Sequence, residues 1–396
     1  MRVKDIVVLR NEKTTDTSRR YIGLENITSW DARFVETTSE TEGTNNIFYP
    51  NDILFGKLRP YLAKGYIPKY EGICSTEFFV MSCKSGVLPH YLLYVFLSHS
   101  VIDFIKNQVA GVKMPRTNWD EFGNLNIDLP SLSVQQKMVD YLDEKTSAID
   151  TKVELLEKKK DAYTRLKKAM INRAVTRGLD EHVKLKDSGV EWIGMIPEHW
   201  MTMRFKDICI LVSGNGFKVE YQGEETGKYP FMKVSDLTGN TKIVYSASNF
   251  VSDYLVESES YNVIPAYSIL FPKIGESLKK NHRKINAKPC CIDNNCSALV
   301  RKNARLDMNY LYYVMKCIDL RWFDYNGTVP CINTKMFMSS CTSFPPLFEQ
   351  QAISSYLDEK CAKIDAAIAN IDKQTDALKR LKRSLINEVI TGHRAV

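Results

Sequence analysis

Basic side chains cluster at three places in this sequence of 396 residues, and such clusters commonly hold phosphate groups. Lysine and arginine neutralise phosphates, while arginine and asparagine can also bind base edges through pairs of hydrogen bonds. The residue types therefore favour nucleic-acid contacts, with solvated surface charge as the alternative. The candidate residues are Lys57, Arg59 and Lys64; Lys113, Arg116 and Asn118; Lys273, Lys279, Lys280, His282, Arg283 and Lys284; and Asn333.

Patterns for catalytic chemistry are incomplete. The glycine and lysine at residues 223 and 228 have the wrong spacing for a phosphate-binding loop, and no dinucleotide fingerprint is present. Two Asp-Glu-Lys runs, at residues 143–145 and 358–360, place carboxylates beside a lysine as some nucleases do. Both lie inside a helical repeat, where charged runs are usually a solvated face. The sequence therefore predicts a protein that is not itself an enzyme.

The ten cysteines show no framework spacing. Cys290, Cys291 and Cys296 lie near His282, but without a Cys-x-x-Cys pair they favour buried thiols over a metal site. An acidic residue at position 5 argues against a signal peptide, so reduced cysteines and a cytoplasmic location are expected. No apolar run reaches membrane length, and no membrane partner is expected. The net charge of +7 permits nucleic-acid binding without demonstrating it.

The elements that would position the basic clusters are organised by an internal repeat. Residues 130–177 align with residues 345–392 without a gap, at a constant offset of 215, and roughly two positions in five are identical. The longest shared run is Tyr-Leu-Asp-Glu-Lys, at residues 141–145 and 356–360. Because repeats of this kind pack in equivalent ways, the two copies predict two equivalent structural elements.

Both copies have the heptad spacing of helices that bury one face against a partner helix. The expected packing is of one copy on the other, with two unrelated amphipathic helices as the alternative. Lysine or threonine interrupts the later core positions, so the apolar face is expected to drift onto Leu166 and Leu381. The predicted coiled-coil interface consists of Leu142, Ile149, Leu156, Tyr163 and Met170 in the first copy and Leu357, Ile364, Ile371, Leu378 and Leu385 in the second.

Outside the repeat the two halves share the order of their elements more than their residues. Met-Arg-Val-Lys-Asp-Ile at residues 1–6 corresponds to Met-Arg-Phe-Lys-Asp-Ile at 203–208, and the loop at 111–118 corresponds to the one at 327–333. The sequence predicts an α/β (α+β) fold with a pseudo-two-fold internal repeat. Four segments are expected: a globular domain at 1–130, a long helix and connector at 131–185, a second globular domain at 186–345, and a C-terminal long helix at 346–396.

Together these motifs resemble the specificity (S) subunit of type I restriction–modification systems over nearly the whole chain. The resemblance rests on Pro-Pro-Leu-Phe-Glu-Gln-Gln at 345–351 with its copy from residue 130, and on Trp-Ile-Gly-Met-Ile-Pro-Glu-His-Trp at 192–200. Leu-Lys-Arg-Ser-Leu-Ile at 381–386 and Ser-Thr-Glu-Phe at 75–78 add to it. The Gly-x-Ile-Pro-x-x-Trp segment has no counterpart before residue 1, so either the first domain begins with a shorter segment or the sequence starts late.

The resemblance implies two target recognition domains held apart by an intramolecular antiparallel coiled coil, each reading one half of an interrupted double-stranded DNA site. The coiled coil would fix the spacer and bind two methyltransferase (modification) subunits, and restriction (motor) subunits would join through the complex. This chain would be non-catalytic and carry no cofactor or metal; S-adenosylmethionine, ATP and Mg²⁺ are expected on the partner subunits. A helix of about 40 residues is about 60 Å long, which can bridge half-sites about 34 Å apart.

Two rival functions are weighed against this one. The first is a coiled-coil adaptor that joins proteins without binding DNA, and the second is an enzyme whose site has no recognisable motif. Alanine at Arg59, Arg116, Lys280 or Arg283 is expected to weaken DNA binding by the assembled complex, and an adaptor would show no such effect.

Overall fold

The fold is taken from a computed structural model that describes residues 1–38, 41, 43–108, 114–239, 241–325 and 327–396. The chain divides into two compact units: unit 1 joins Met1–Lys159 with Asn370–Val396, and unit 2 is Lys160–Ala369. Each unit thus holds one globular domain and part of each long helix. The predicted division into four segments is a different grouping of the same residues and stays a prediction.

The globular part of unit 1 contains two four-stranded sheets, with orders β1-β8-β5-β6 and β2-β4-β7-β3. Neighbouring strands are antiparallel except for β3 and β7, which are parallel. The strands are β1 Val7–Leu9, β2 Lys13–Thr14, β3 Tyr21–Ile22, β4 Asn45–Phe48, β5 Ile53–Gly56, β6 Gly65–Tyr66, β7 Gly72–Cys74 and β8 Phe78–Cys83. The helices are α1 Val3–Ile6, α2 Pro89–Phe96, α3 His99–Gln108, α4 Trp119–Gly123 and the long α5 Leu132–Arg177, which continues into unit 2.

Strand β5 is buried on both faces, which explains its continuous apolar run. Ile53 and Phe55 belong to the cluster that packs under α2 and α3, whereas Leu54, pointing the opposite way, belongs to a second cluster with Val80. The single helix expected at residues 91–105 is instead α2 followed by α3. Ser98 lies at the break and donates its hydroxyl to the Val95 carbonyl at 2.7 Å.

Unit 2 repeats this design with additional strands. Its largest sheet has the order β12-β19-β16-β17-β14, beside a three-stranded sheet β15-β13-β18 and the two-stranded pairs β11-β20 and β10-β9. The strands are β9 Leu185–Asp187, β10 Met195–Pro197, β11 Met201–Arg204, β12 Cys209–Ser213, β13 Tyr229–Met232, β14 Ile243–Val244, β15 Phe250–Val251, β16 Ile269–Pro272, β17 Lys284–Asn286, β18 Cys291–Ile292, β19 Cys296–Arg301 and β20 Cys341–Phe344. The helices are α6 Phe205–Ile208, α7 Asp253–Ser258, α8 Glu276–Lys279, α9 Met308–Cys317, α10 Thr334–Ser339 and the long α11 Leu347–Ile390, which ends in unit 1.

The long helices α5 and α11 pack antiparallel, as predicted. In unit 1, Leu142 near the start of α5 shares an apolar cluster with Leu385 and Val389 near the end of α11. In unit 2 the ends are reversed, because Leu357 near the start of α11 shares a cluster with Ala174 near the end of α5. Every predicted interface residue is buried or half-buried. Across the described ranges, no helix is long and apolar enough to cross a membrane.

The expected drift of the apolar face onto Leu166 and Leu381 is wrong. These leucines are 54 % and 55 % exposed. The neighbouring lysines, Lys167 and Lys382, turn toward the partner helix instead, with side chains 29 % and 5 % exposed. A lysine can occupy such a position when a carboxylate neutralises its charge, and the partners of both lysines are described below.

Candidate nucleic-acid interface

Each globular domain contains a backbone frame in which a strand end is tied to a later loop. In unit 1, Lys57 follows β5, donates its N–H to the Glu77 carbonyl at 2.7 Å and accepts the Thr117 N–H at 3.1 Å. Arg59 then donates its N–H to the Pro115 carbonyl at 2.8 Å. These three backbone hydrogen bonds define the unit 1 frame, which places three distant segments side by side.

Unit 2 contains the same frame. Lys273 follows β16, donates its N–H to the Asn295 carbonyl at 2.8 Å and accepts the Ile332 N–H at 3.0 Å. Gly275 donates its N–H to the Pro330 carbonyl at 2.8 Å. The two units therefore offer an equivalent backbone on which different side chains are displayed.

The two candidate asparagines close this frame as helix caps. Asn118 Oδ1 accepts the Glu121 N–H at 2.8 Å before α4, and Asn333 Oδ1 accepts the Met336 N–H at 2.9 Å before α10. Asparagine is a preferred residue at this position because its side-chain oxygen satisfies a free N–H of the first turn. The carbonyl oxygen of each side chain is therefore already engaged, which sequence spacing alone did not indicate.

The side chains on the frame differ between the units. Arg59 has a φ of 50°, in the region that favours glycine, and Gly275 occupies the equivalent position with a φ of 79°. Arg116 of unit 1 corresponds to Cys331 of unit 2. Arg116 forms an isolated β-bridge with Leu58, and Cys331 forms one with Ile274. A non-glycine residue held at positive φ carries a conformational cost, which is a reason to look for a role of the Arg59 side chain.

Arg116 is held by a carboxylate that was absent from the candidate residues. Its Nε lies 3.0 Å from Glu77 Oε2 and its Nη2 3.1 Å from Glu77 Oε1, a two-bond fork that raises the pKa of Arg116. Arg116 lines a cleft of about 460 Å³ that also brings together candidates Lys57 and Asn118. Further polar side chains on this cleft are Arg10, Asn11, Lys13, Asn46, Thr76 and Thr117.

Two candidate lysines of unit 1 are tied to backbone carbonyls. Lys57 donates its ammonium to the Thr76 carbonyl and Lys64 to the Leu24 carbonyl, each at 2.7 Å. Burial lowers the pKa of both ammonium groups. Lys64 thus braces its own domain, whereas Lys57 remains at the cleft wall. Lys113 lies outside the described residues.

The densest basic run, residues 279–284, was predicted to contact nucleic acid, but Arg283 and Lys284 are buried in the structure. Arg283 is 1 % exposed, donates to the Asn281 side chain at 2.7 Å and the His282 carbonyl at 2.8 Å, and lies over the Phe271 ring. Lys284 is in β17 and donates to the Thr241 hydroxyl at 2.7 Å. Burial lowers the pKa of both groups. Both side chains are buried within unit 2 and are not available to a phosphate in this conformation.

The remaining residues of that run lie nearer the surface. Lys279 is exposed and forms an ion pair with Glu276 at 2.7 Å. Lys280 is exposed, and no side-chain partner is found for it within the part of the chain that the structure describes. His282 is half-buried, and burial followed by neighbouring lysines lowers its pKa, so its imidazole is neutral near pH 7. Lys280 is therefore the residue of this run best placed to meet an anion.

The helix repeat docks each globular domain through a buried glutamine. In unit 1, Gln135 accepts the Leu88 N–H at 2.9 Å, directly before α2. Its amide nitrogen donates to the Gly86 carbonyl at 3.0 Å and the Pro130 carbonyl at 2.8 Å. All three hydrogen bonds join the start of α5 to the globular domain.

The second copy makes the same three hydrogen bonds. Gln350 accepts the Asp307 N–H at 2.8 Å, and its amide nitrogen donates to the Arg305 carbonyl at 3.1 Å and the Pro345 carbonyl at 2.8 Å. Sequence reasoning identified the repeated Gln-Gln doublet without assigning it a role. In the structure the first glutamine of each doublet is buried and the second is exposed.

The Asp-Glu-Lys runs of the repeat are also docking elements. The Tyr94 hydroxyl donates to Asp143 at 2.7 Å in unit 1, and the Tyr313 hydroxyl donates to Asp358 at 2.5 Å in unit 2. Burial raises the pKa of both tyrosines, with the aspartates adding to the effect. Asp358 also pairs with Lys242 at 2.6 Å. These two aspartates therefore join the long helices to the globular domains.

A matching pair of ion pairs links the two helices. Lys382 lies 2.8 Å from Asp150 in unit 1, and Lys167 lies 2.6 Å from Asp365 in unit 2. The lysines are equivalent in the repeat, and so are the aspartates. In unit 1 the pair gains two further members from the globular domain: Asp31, which lies 3.2 Å from Lys382, and Arg33, which lies 3.5 Å from Asp31 and 3.9 Å from Asp150.

The cysteines near His282 are buried thiols, as the spacing favoured. Cys290, Cys291 and Cys296 are fully buried, and burial raises the pKa of each to about 12. Within the described ranges, no group of three His, Cys, Asp or Glu side chains is arranged to hold a metal ion.

The fold and the frame define an internally duplicated protein, with two domains of one design that display different side chains and are docked on equivalent helices. The family model for the type I restriction modification DNA specificity domain matches residues 1–162 and 197–379. The chain belongs to this family.

Similarity to individual proteins agrees with this membership. The chain is 25 % identical over 331 residues to the type I restriction enzyme MjaVIII specificity subunit of Methanocaldococcus jannaschii, covering 81 % of this chain and 74 % of the relative. It is 24 % identical to the putative MjaX specificity subunit of the same organism, covering 98 % and 92 %.

Solved structures show the same fold. A chain from a structure concerning complex assembly and conformational transition of the type I R-M system matches with a TM-score of 0.74 at 19 % identity, covering 98 % of this chain and 96 % of that one. The HsdS subunit from Thermoanaerobacter tengcongensis matches with a TM-score of 0.50 at 18 % identity, covering 100 % and 96 %.

Proposed function

We propose that this chain is the DNA-specificity subunit of a type I restriction–modification complex and that it reads an interrupted double-stranded site, one domain to each half. The supporting observation is the contrast between the two units. The contacts that dock domains to helices are equivalent in the two units. The frames differ in their side chains, because Arg59 and Arg116 of unit 1 correspond to Gly275 and Cys331 of unit 2. Equivalent scaffolds with different display surfaces are what two different half-sites require.

The equivalent helix copies support two equivalent partner sites. Two methyltransferase subunits would bind the helix pair and carry S-adenosylmethionine, while restriction subunits with ATP and Mg²⁺ would join through the complex. The chain itself would contribute no catalytic group and no cofactor, and the complex would act in the cytoplasm. The exposed repeat-related leucines, Leu166 and Leu381, are candidates for such partner contacts because each leaves apolar surface uncovered.

The four residues proposed for alanine substitution fall into two groups by their exposure in the structure. Arg59, Arg116 and Lys280 are exposed, so alanine at each is expected to weaken DNA binding by the assembled complex. Arg283 is buried, so alanine there is expected to destabilise unit 2 instead. Retained folding with specific loss of DNA binding in Arg283→Ala would show that the buried position does not describe the bound state.

The test is genome-wide mapping of adenine methylation in a host that expresses this chain with its cognate methyltransferase subunit. A split motif is expected, and replacing residues 1–130 with those of a relative should change one half of it. A complex that assembles but methylates no defined motif would reject the proposal and favour a coiled-coil adaptor. Turnover of DNA by the purified chain alone would reject the non-catalytic assignment.

A further inference from the structure

The Arg116–Glu77 pair has a geometry suited to reading a base. A guanidinium has five N–H donors, and its planar shape offers two edges on which two donors lie parallel. Glu77 occupies the edge formed by Nε and Nη2, with both bonds near 3 Å. The outer edge, formed by Nη1 and the second hydrogen of Nη2, has no acceptor among the described residues. The carboxylate thus fixes the plane of the guanidinium and leaves a fork for a ligand.

The ligand that matches this fork is a guanine. The O6 and N7 atoms of guanine are two acceptors side by side in the major groove, and arginine paired to them is the commonest specific contact to a base. A phosphate can also accept two hydrogen bonds from an arginine fork, but a phosphate contact carries no sequence information and gives no reason for the two units to differ at this point. The two hydrogen bonds from Arg116 to Glu77 fix the orientation of the guanidinium plane, and a fixed plane favours recognition of a planar base edge.

The position of the pair within unit 1 is consistent with this ligand. Arg116 is exposed and lines the cleft with Lys57, whose backbone hydrogen bonds build the frame. Equivalent backbone bridges, from Leu58 to Arg116 and from Ile274 to Cys331, place these residues at the same point of each unit. A residue that served the frame itself would have the same chemistry in both units.

Unit 2 lacks both members of the pair at that point. Cys331 stands in place of Arg116, and Asn295, exposed and hydrogen-bonded to Asp293 at 2.7 Å, stands in place of Glu77. Neither can present an arginine fork. At this point the units therefore differ in the side chains that they display, while the three backbone hydrogen bonds of the frame are the same.

From this we infer that Arg116, positioned by Glu77, contacts a guanine in the half-site that unit 1 reads, and that unit 2 makes no guanine contact at the equivalent position. The inference rests on the proposed function and names a base and a residue within it. Arg116 is the contacting residue, and Glu77 is a positioning residue that acts through Arg116.

The experiment uses the full chain with its methyltransferase subunit and compares wild type with Arg116→Ala, Arg116→Lys and Glu77→Gln by adenine-methylation mapping. Arg116→Ala is expected to make one guanine position of one half-site degenerate and to leave the other half-site unchanged. Binding of a DNA duplex carrying the mapped site should weaken roughly 5- to 150-fold, the range for one bidentate base contact. Glu77→Gln is expected to relax the same position to a smaller extent.

Arg116→Lys separates a base contact from a phosphate contact. Lysine keeps the charge but not the fork, so loss of guanine discrimination with this variant supports the inference. Unchanged discrimination in Arg116→Lys, or an unchanged motif in Arg116→Ala, overturns it. Relaxation at a different position in Glu77→Gln also overturns the positioning role, because Glu77 would then read its own base.

A matched control is available in the same unit. Arg2 forms the same kind of exposed pair, with Asp5 at 2.9 Å, away from the cleft. Arg2→Ala is expected to leave the motif and the affinity unchanged, and equal effects of Arg2→Ala and Arg116→Ala would overturn the assignment in favour of general charge. Absence of any split motif with the wild-type chain would instead reject the proposed function, so the two failures are distinguishable.

Discussion

Unit 1 and unit 2 secure the beginning of their globular domains differently. In unit 2, β11 pairs with β20 over four residues, and buried Trp200 just before it donates to Glu349 at 2.9 Å. In unit 1 the equivalent place has one isolated bridge, between Arg2 and Asn126, and the Met1 amino group donates to the Ile127 carbonyl at 2.7 Å.

The same comparison shows what is held constant. The frames, the docking glutamines and the inter-helix ion pairs are equivalent, whereas the domain starts and the displayed side chains are not. Divergence is thus seen in the side chains that the two frames display. It is not seen where the domain meets the helices, which indicates that docking on the helices is the shared structural requirement.

The largest effect is expected for Trp200 of unit 2. Trp200 is fully buried and packs against Gly178, where an added Cβ would lie 3.2 Å from the indole ring. Trp200→Ala should lower the free energy of unfolding by about 3–5 kcal/mol, measured by chemical denaturation. Half-exposed Trp322 is the control. Equal small effects of both substitutions would mean that the indole is not an anchor of unit 2.

The docking glutamines should be equivalent in the two units. Gln135→Ala and Gln350→Ala each remove three hydrogen bonds to backbone groups that are mostly part-buried, at a cost of about 0.5–1.5 kcal/mol per hydrogen bond. The exposed neighbours Gln136 and Gln351 are matched controls and should be nearly neutral on substitution by alanine. Hydrogen exchange would place each loss in its own unit. A large cost in one unit only would break the equivalence.

The inter-helix lysines should be unequal despite their equivalence in the repeat. Lys382 is nearly buried beside Asp150 and Asp31, and in Lys382→Met these carboxylates keep only the more exposed Arg33, at 3.5 and 3.9 Å, as a cationic partner. This substitution should therefore cost about 1–3 kcal/mol. Lys167 is more exposed and has one carboxylate partner, so Lys167→Met should cost about 1 kcal/mol or less.

Surface ion pairs along the same helices are the controls for this comparison. Lys158 and Lys363 each pair with a glutamate one turn away and are 68 % exposed, so methionine there should change thermal stability little. The comparison would fail if Lys167→Met and Lys382→Met shifted the melting temperature equally.

The smallest expected effect concerns pH. Burial, then neighbouring Arg283, Lys167 and Lys284, lower the pKa of Lys316 to about 8, with Asp365 opposing. Between about pH 8 and 10.5 the unfolded chain binds more protons at this site than the folded one, so rising pH stabilises the fold there. Unit 1 has Leu97 at the equivalent position of its sequence.

Lys316→Leu should therefore stabilise the protein at pH 7 by on the order of 1 kcal/mol, a value reduced for the partial exposure of the side chain. The difference in unfolding free energy between the variant and the wild type should narrow as the pH is raised to 10. Urea denaturation at each pH measures this difference. A gap that stays constant with pH would exclude titration of Lys316 as its cause.

The sequence predicted the paired helices because a heptad pattern shared by two copies is local and periodic. It could not predict that Arg283 is buried, because the Ile318 carbonyl to which Arg283 donates is 35 residues away in the sequence. The outward turn of Leu166 was missed for a similar reason. Its neighbour Lys167 can turn toward the partner helix because Asp365 neutralises its charge, and these two residues are 198 positions apart in the sequence.

The candidate interface was predicted in part. Lys57, Arg116 and Asn118 line one cleft, although they come from two separate clusters of the sequence, and their role in binding DNA stays a prediction. Glu77 was missed because its role depends on the fork it forms with a residue 39 positions later. The equivalence of Glu77 with Asn295 becomes visible only when the two frames are compared.

The composition of unit 1 has a consequence for the order of events during synthesis. Unit 2 is one continuous stretch, Lys160–Ala369, whereas unit 1 needs both Met1–Lys159 and Asn370–Val396. The globular domain translated first therefore lacks its second helix until the stretch after Ala369 emerges. At about 5–20 residues per second, that wait lasts on the order of 10–50 s. Leu142 and its neighbours are uncovered in this interval, so a nascent chain would be most open to chaperones and proteases at the domain that was made earliest.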